Sequence, residues 1–429
     1  MWRWSFLLAF LLAACGRTGI DLAADELGDS GTIGAATGAA GASAKPDASS
    51  AIGPDAVSSR SCVWSGFVTR GTYATGAAPV SIAVADFNRD GRLDLATSDW
   101  GGAAGSLDGS VSVLLANGPG TFATPTMYKT DIQPTDLAAG DLTDDGFPDL
   151  VVPSSVEKLD ILRNSGAGTF TSLPLPGPGL TEPLAVAVAD LNGDGHLDVA
   201  ASMGSGAIDV FAGKGDGTLR PLGQYATSVR TYGLAFADLN GDGSPDLVAT
   251  NLTLSPVMYG RGQIAVLINQ GGGKLADQVA YPAGNGTNAL AVGDLDGDGH
   301  LDVAVANDLD GTIGVFHNAG DGTFGAQVPY DIGPTSSFVN EPGGMAGVVA
   351  ADFDGDGRLD LATARTFEGD STIEVLLNAG DGTFRAAVPS AGSPDSPEAI
   401  AAADFDGDGR ADLAITGQKS ITILLSRCR

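Results

Sequence analysis

Short apolar stretches alternate with polar, glycine-rich turns from about residue 64 to the end of the chain. Seven of these stretches end at an aspartate that opens a nine-residue polar pattern, and a second apolar stretch starting with Leu or Val follows each time. Apolar runs of about 4–8 residues between turn residues are typical of buried strands. The pattern therefore predicts seven copies of strand, loop and strand, with loops that start at Asp86, Asp141, Asp190, Asp238, Asp294, Asp352 and Asp404.

The seven loops recur at intervals of 48–58 residues, which is typical of a repeat architecture. The residue directly before each loop is always Ala or Gly, so the first strand of each repeat must fit a crowded place such as the inner part of a ring. A third strand, a Gly-rich turn such as residues 320–323 and an outer strand complete each repeat. We interpret that turn as a hairpin that needs positive φ, rather than as a second metal site.

The first segment of the repeat region is out of phase with the rest. Residues 67–73 do not match a first strand, but they match the outer strands that follow the later Gly-rich turns. The seventh repeat has a third strand at residues 421–425 and no outer strand after it. We therefore expect the N-terminal segment to complete the seventh repeat and to close the ring.

The nine-residue loops carry the oxygen ligands of a calcium site. Their form is D-x-[ND]-x-D-G-x-x-D, with Thr at position 3 of the second copy. Side chains at positions 1, 3, 5 and 9 and the carbonyl at position 7 can converge on one ion, and the glycine permits the sharp turn. The predicted ligands are Asp86, Asn88, Asp90, Arg92, Asp94, Asp141, Thr143, Asp145, Phe147, Asp149, Asp190, Asn192, Asp194, His196, Asp198, Asp238, Asn240, Asp242, Ser244, Asp246, Asp294, Asp296, Asp298, His300, Asp302, Asp352, Asp354, Asp356, Arg358, Asp360, Asp404, Asp406, Asp408, Arg410 and Asp412.

An EF-hand is excluded because position 12 is never an acid and the flanking segments read as strands. The alternative to a calcium site is a metal-free Asx turn. Thr143 is a poorer ligand than a carboxylate, although Asp144 is adjacent, so we expect the second site to be the weakest. Position 3 is Asp in the last three loops, and the added charge predicts tighter binding there.

These repeats resemble FG-GAP repeats, also called VCBS repeats, and are similar to those of the integrin α-chain propeller and of many bacterial secreted proteins. The resemblance covers about residues 64–426. It implies an all-β fold, a seven-bladed β-propeller with up to seven Ca²⁺ ions in the inner hairpin loops. With the phase of the first segment, we expect an N-terminal outer strand to complete the seventh blade.

The resemblance also implies a ligand-binding face opposite the calcium loops, formed by the loops after the second strands and between blades. Function commonly lies on such loops, and exposed aromatic and Arg side chains are typical anchors. We expect a protein or glycan ligand there, and a monomer. The candidate residues, for each of which local packing is the alternative, are Trp100, Arg230, Tyr232, Tyr259, Arg261, Phe338, Asn340, Arg365 and Phe367.

The charge balance excludes one class of partner. The chain has 22 basic and 52 acidic residues, a formal net charge of −30, and nearly half of the acids lie inside the seven loops. Phosphate binding needs a basic face, so nucleic acid is not expected as a partner, nor is direct adhesion to anionic lipid. Bound Ca²⁺ would offset part of this charge.

The N-terminal residues read as a targeting segment. Arg3 precedes an apolar run at residues 6–12, which is too short to span a bilayer, and Cys15 follows Leu-Ala-Ala. This resembles a bacterial lipobox and implies a signal peptide at residues 1–14, lipidation of Cys15 and membrane contact through the lipid alone. The alternative is an ordinary signal peptide. We expect an exported protein at the periplasm or cell surface, with a Gly/Ala/Ser-rich tether at residues 15–61 and the propeller at residues 62–429.

Three cysteines are present, and lipidation of Cys15 would leave an even pair. Cys62 just precedes the N-terminal outer strand and Cys428 just follows the last third strand. If these strands are neighbours, the two thiols can form a disulfide, which persists in an exported protein. The alternative is two unpaired thiols.

A catalytic constellation is not recognised in the sequence. Two of the three histidines occupy loop position 7, and His317 lies in a predicted third strand. The motifs G-x-S-x-G and H-E-x-x-H do not occur. We therefore predict a binding protein rather than an enzyme. A carbohydrate-active lyase or hydrolase, and a purely structural surface protein, remain alternatives.

Overall fold

The computed structural model describes residues 63–428, apart from residues 102–108, 131–132, 155–157, 174–179, 228–229, 255–258, 334–344, 368–369, 391 and 395. All regular elements in this part of the chain are β-strands. The predicted signal peptide and tether, with Cys15 and Cys62, lie outside the described residues, as do Phe338 and Asn340.

Seven antiparallel sheets of four strands form the blades of a propeller, and a two-stranded hairpin accompanies the first blade. The first strand of the chain, β1 (Trp64–Ala74), belongs to the seventh blade. The first blade starts with β2 (Pro79–Ala85), β3 (Asp94–Asp99) and β4 (Ser110–Leu114). The hairpin β5 (Ala116–Gly118) and β6 (Thr121–Phe122) follows, and β7 (Thr126–Lys129) completes the first blade. The second and third blades comprise β8 (Ala138–Gly140), β9 (Asp149–Ser154), β10 (Lys158–Asn164), β11 (Phe170–Leu173), β12 (Pro183–Ala189), β13 (Asp198–Met203), β14 (Ala207–Gly213) and β15 (Leu219–Ala226).

The fourth and fifth blades follow the same antiparallel order and comprise β16 (Arg230–Ala237), β17 (Asp246–Leu254), β18 (Tyr259–Leu267), β19 (Val279–Asn285), β20 (Thr287–Gly293), β21 (Asp302–Asn307), β22 (Thr312–Phe316) and β23 (Val328–Asp331). The last two blades comprise β24 (Val349–Ala351), β25 (Asp360–Phe367), β26 (Asp370–Leu376), β27 (Val388–Ser390), β28 (Ile400–Ala403), β29 (Asp412–Gly417) and β30 (Ser420–Cys428).

The seventh blade joins the two ends of the described chain. Its strand order is β1-β30-β29-β28, so the out-of-phase N-terminal segment is its outer strand, as predicted. The register runs from Trp64 opposite Cys428 to Ala74 opposite Ser420, with two shifts between them. The Trp64 indole N–H also donates to Ser426 Oγ at 3.1 Å. The ring is therefore closed by a pairing of the first and last strands.

The first strands of the blades are buried, apart from the half-buried Arg230 that starts β16, and are rich in small residues, as the inner part of a ring requires. Gly140 ends the first strand of the second blade and shows how little space is left. A Cβ at Gly140 would lie 2.6 Å from Leu197 Cδ1 and 3.1 Å from Val188 Cγ2, both in the third blade. The predicted crowding is thus the close approach of one blade to the next.

Aromatic pairs pack neighbouring blades together at the outer strands. Tyr73 of the seventh blade meets Phe122 of the first, edge to face, with ring centroids 5.6 Å apart. The same arrangement joins Tyr128 to Phe170, at 5.5 Å, and Tyr330 to Phe384, at 5.3 Å, between later blades. Such pairs contribute about 0.5–1.5 kcal/mol beyond their buried area. Each Gly-rich turn therefore delivers an apolar residue that binds its blade to the preceding one.

A search of the described residues for a membrane-spanning helix finds none of sufficient length and apolar character.

Candidate metal centres and the opposite rim

The loop between the first and second strands of each blade is folded by its own aspartates. In the sixth loop, Asp352 accepts the backbone N–H groups of Gly355 at 2.7 Å and of Gly357 at 2.8 Å. The Asp356 carboxylate then accepts the N–H of Arg358 at 3.0 Å. These are Asx-type bonds, and equivalent bonds to the first and fifth positions occur in the other loops. The turn and a metal site are compatible, because each carboxylate oxygen has a second lone pair.

The aspartate at loop position 9 is buried in every blade and joins the loop to the third strand. Asp360 accepts the N–H of Phe353 at 3.1 Å and that of Asn378 at 2.8 Å. Burial raises its pKa to about 8 despite these hydrogen bonds. Burial likewise raises the pKa of Asp94 and Asp412 to about 7, that of Asp149, Asp198 and Asp246 to about 6, and that of Asp302. A nearby cation would favour the ionised form of all seven.

Carboxylates converge most closely in the three loops that have Asp at position 3. Ligand atoms lie within 4.8 Å of one another in the groups Asp294/Asp296/Asp298, Asp352/Asp354/Asp356 and Asp404/Asp406/Asp412. Hard cations such as Ca²⁺ take six to eight oxygen ligands, so this donor set fits calcium. Asp294, Asp352 and Asp404 with their loop partners would hold the ions, and the position-7 carbonyls would complete the coordination.

The second loop differs from the others in where its acids point. Asp144, at φ 50°, turns toward the third blade, where its Oδ2 lies 2.5 Å from Nδ1 of His196. Asp145 forms an ion pair with Arg163 at 3.0 Å. Asp144 therefore does not replace Thr143 as a ligand, and the neighbouring position 5 already has a cationic partner. The weakness of this site stays a prediction.

Three arginines at position 7 pair with the position-5 aspartate of their own loop, although only their carbonyls were assigned a role from the sequence. Arg92 lies 2.6 Å from Asp90. The corresponding pairs are Arg358 with Asp356 and Arg410 with Asp408. These exposed pairs contribute at most about 1 kcal/mol each, but they reduce the repulsion among loop carboxylates.

A ring of hydrogen bonds at the metal-loop end joins each blade to the next. The carbonyl at loop position 2 accepts a hydrogen bond from the following blade in every case. Four of the donors are Asn side chains that end the third strand or lie two residues beyond it, one is a serine, and two are backbone groups: Asn164 to Phe87, Asn269 to Leu191, Asn318 to Leu239, Asn378 to Leu295, Ser426 to Phe353, Gly217 N to Leu142 and Gly120 N to Phe405. The distances run from 2.7 to 2.9 Å.

Sequence reasoning missed these residues, although a signal existed. The stretch Asn-x-Gly-x-Gly recurs at residues 164–168, 269–273, 318–322 and 378–382. Its glycines have positive φ, for example 87° at Gly320 and 78° at Gly322, which confirms the predicted hairpin turn. The Asn of this stretch gives no local signal of its role, because its partner lies some 80 residues earlier, in the preceding blade.

We expect Asn378→Ala to lower the free energy of unfolding by about 2–4 kcal/mol. The Asn378 amide donates to Leu295 O at 2.8 Å and to Leu359 O at 2.9 Å, and the side chain is buried. Loss of both bonds leaves two carbonyls without these donors. Asn378→Ser is the matched control, because Ser426 makes the inter-blade bond in the seventh blade, and it should have an intermediate effect. Urea unfolding in Ca²⁺ measures both variants, and equal stability to wild type would contradict the role of this bond.

The rim opposite the metal loops is where second strands end and third strands begin. Trp100 directly follows β3, Arg365 and Phe367 end β25, Tyr259 and Arg261 start β18, and Arg230 starts β16. The last five of these were expected in loops and lie within strands instead. Arg261 is exposed, whereas Trp100, Arg230, Arg365 and Phe367 are half-buried.

Tyr232 is a correction to the predicted ligand face. It is only 6% exposed and packs with Leu184 and Leu252 between the third and fourth blades. Local packing therefore explains this residue, and an aromatic residue near the start of a first strand is equally suited to a blade interface. Arg365 also has a structural partner, since its guanidinium lies 2.8 Å from the buried Glu374 carboxylate.

Solved structures with the same architecture bind different partners. A lectin of Agrocybe aegerita, described as recognising non-reducing terminal N-acetylglucosamine, is 21% identical, with a TM-score of 0.53 over 82% of this chain and 85% of that one. BBS1N in complex with ARL6DN is 13% identical, with a TM-score of 0.53 over 85% and 98%. The Dos1 propeller is 14% identical, with a TM-score of 0.52 over 81% and 78%. At these identities the likeness shows the fold alone, and the neighbours share a propeller architecture.

No curated protein sequence matches the chain. A family model described as FG-GAP-like repeat matches residues 144–201, 190–249, 256–305, 294–363 and 352–415, which together make up more than half of the chain. Four of the five matched segments begin in one metal loop and end just after the next. The chain belongs to the family of FG-GAP-like repeat proteins.

Proposed function

We propose that the protein is a calcium-stabilised, lipid-anchored, extracytoplasmic propeller that binds a protein or glycan on the rim opposite its metal loops. The observation that carries the calcium assignment is the convergence of three carboxylates within 4.8 Å in each of the last three loops. Three carboxylates in so small a volume repel one another unless a cation lies between them.

The recognition role is supported by the fold and by the composition of the rim. FG-GAP-like propellers are rigid rings, and the loops of rigid scaffolds commonly carry binding residues. One structural neighbour is described as a lectin and another is in complex with a protein, so both ligand classes suit this architecture. On this chain the exposed Arg261 and the half-buried Trp100 are the anchors to test first, whereas Arg230 and Arg365 pair with acidic side chains and Tyr232 is buried.

A glycan array and a pull-down with residues 62–429, each with and without Ca²⁺, test this proposal. We expect a ligand that is retained by wild type in Ca²⁺ and lost by Trp100→Ala or Arg261→Ala. Met127→Ala is the matched control, because Met127 is 53% exposed on an outer strand away from the rim. A ligand whose binding responds to Met127 and not to the rim would contradict the proposed face. Shortened glycans among the recovered ligands would favour the lyase or hydrolase alternative.

The proposed anchor gives a separate prediction. Cys15→Ala is expected to move the protein from the membrane fraction to the soluble fraction without unfolding it, because a thiol outside the propeller would carry the lipid. Detergent phase partitioning and the thermal unfolding midpoint measure the two effects. A variant that stays wholly in the detergent phase would contradict the lipobox assignment.

The proposed disulfide joins Cys62 and Cys428. Cys428 lies opposite Trp64 in the closing strand pair. Cys62 is outside the described residues but stands only two positions before Trp64. Two residues of chain can cover the few ångströms that separate paired strands, so this register supports the pairing.

A further inference from the structure

Among the described residues, the fifth blade is the only one in which a histidine at the end of the third strand lies against the metal loop. The residue directly after that strand is His317, and the corresponding residues of the other blades are Leu115, Arg163, Ala212, Ile268, Leu377 and Leu425. None of these six offers a nitrogen ligand suited to a transition metal. The fifth loop thus combines the acidic pattern common to all blades with one imidazole.

The His317 imidazole lies against two carboxylates of the loop. Its Nδ1 is 3.5 Å from Asp296 Oδ2 and 3.4 Å from Asp302 Oδ2, and the three ligand atoms lie within 4.8 Å of one another. This Nδ1 atom is buried and has no hydrogen-bond partner. The Asp302 side chain is fully buried, while that of His317 is 30% exposed.

These separations are long for hydrogen bonds, which usually measure about 2.7–3.2 Å. They match the edge of a tetrahedron around an ion bound at about 2.0–2.1 Å, for which neighbouring ligand atoms are about 3.3–3.4 Å apart. One nitrogen and two carboxylate oxygens leave one coordination position for solvent. Both distances from Nδ1 therefore suit ligands of a small ion better than hydrogen bonds.

The ligand chemistry selects the class of ion. Ca²⁺ takes oxygen ligands at about 2.3–2.6 Å, whereas neutral imidazole with carboxylate suits Zn²⁺ and its first-row neighbours. We propose that the fifth loop binds a zinc-class divalent cation through Asp296, Asp302 and His317. The inference rests on the proposed metal-binding role of the loops. Because Asp296 also belongs to the all-oxygen group with Asp294 and Asp298, the zinc-class ion and Ca²⁺ compete for this loop.

The surroundings enclose this position and connect it to two blade interfaces. A Cβ on Gly382, in the turn of the sixth blade, would lie 2.9 Å from Asp296 Cβ and 3.5 Å from His317 Cε1, so the glycine leaves room over the site. Asp302 accepts the N–H of Asn318, whose side-chain amide donates to Leu239 in the fourth blade. An ion bound here would therefore strengthen the junctions of the fourth, fifth and sixth blades.

Zinc binding to the purified protein in millimolar Ca²⁺ tests the proposal, because Ca²⁺ then occupies the oxygen-only loops. Wild type is expected to retain one equivalent of Zn²⁺ after dialysis. His317→Leu should bind Zn²⁺ at least about 10-fold more weakly. Leucine stands at this position in three other blades, so the variant should keep the fold, which its unfolding midpoint in Ca²⁺ verifies. Val328→Ala, at an exposed position on the outer strand of the same blade, is the matched control and should bind as wild type does.

Co²⁺ provides a second readout that depends on the ligands themselves. Co²⁺-loaded wild type should show the intense visible absorption of a four-coordinate ion, and His317→Leu should not. Equal Zn²⁺ affinity of wild type and His317→Leu, or only weak octahedral Co²⁺ bands in wild type, would overturn the proposal. Either result leaves the calcium assignment standing if Ca²⁺ still raises the unfolding midpoint, and a lack of Ca²⁺ stabilisation would count against the proposed function instead.

Discussion

Millimolar Ca²⁺ is expected to raise the thermal unfolding midpoint of the metal-free protein, and to raise it more at pH 8 than at pH 5. Each independent site at a free Ca²⁺ concentration a hundred times its dissociation constant adds about 2.7 kcal/mol, so several occupied sites would dominate the stability of the ring. The unfolded chain does not hold the ligands of a loop in place for an ion. The free energy of Ca²⁺ binding therefore adds to the free energy of folding.

The pH dependence follows from the buried position-9 aspartates. Burial raises the pKa of Asp94 to about 7, of Asp360 to about 8 and of Asp149 to about 6 in the folded, metal-free protein. A carboxyl whose folded pKa is raised favours folding below its unfolded pKa, near 4, and this contribution is lost as the pH rises through 6–8. The metal-free protein therefore loses stability from pH 4 to pH 8, and Ca²⁺ reverses that loss.

Circular dichroism melting in excess chelator and in Ca²⁺, at both pH values, measures this effect. Potassium chloride at matched ionic strength is the control, because screening alone would also reduce repulsion among loop acids. Identical midpoints with and without Ca²⁺ would contradict the calcium assignment. A Ca²⁺ effect that is larger at pH 5 would contradict the role of the buried carboxyls.

Cys62→Ser is expected to lower the free energy of unfolding by up to about 5–6 kcal/mol under oxidising conditions. The bond would close a loop of more than 360 residues, for which the chain-entropy model gives this upper value. It would also hold β1 on β30 when the outer strand frays. Intact mass before and after reduction, followed by urea unfolding, measures the bond and its contribution.

Cys15→Ser is the matched control for the second experiment, because it removes a thiol from a segment outside the propeller. It should leave the midpoint of the oxidised protein unchanged, and dithiothreitol should bring wild type to the level of Cys62→Ser. Two thiols that alkylate in the native protein without reductant would show that the bond does not form.

The fold could be predicted from the sequence because the strands and turns of each repeat follow from residue patterns within that repeat. The aspartate loops, the small residues before them and the Gly-rich turns fix strand, turn and strand within about 50 residues. The phase of residues 67–73 then predicted how the ring closes, and β1 confirms it. These features depend on contacts within one blade or on the strand count, and both can be read along the chain.

Contacts between blades could not be predicted in this way. The Asn269 amide reaches a carbonyl 78 residues away, and Asp144 reaches His196 52 residues away. Tyr232 was placed on the ligand face because it was expected in a loop, but its side chain packs between blades. Which residues face an adjacent blade depends on the angle between sheets, which local periodicity does not encode.

The pairing of β1 with β30 also sets the order in which the molecule can be completed. β1 is the first described strand to leave the ribosome, and β30 is the last, and Trp64 is 362 positions from its hydrogen-bond partner Ser426. Contacts of such long range form late, since the intervening chain must be ordered first. The blades between them can form in succession, while β1 keeps an unpaired edge throughout synthesis. A chain that stops before β30 would therefore carry a strand able to pair with other molecules, and only completed chains would hide it.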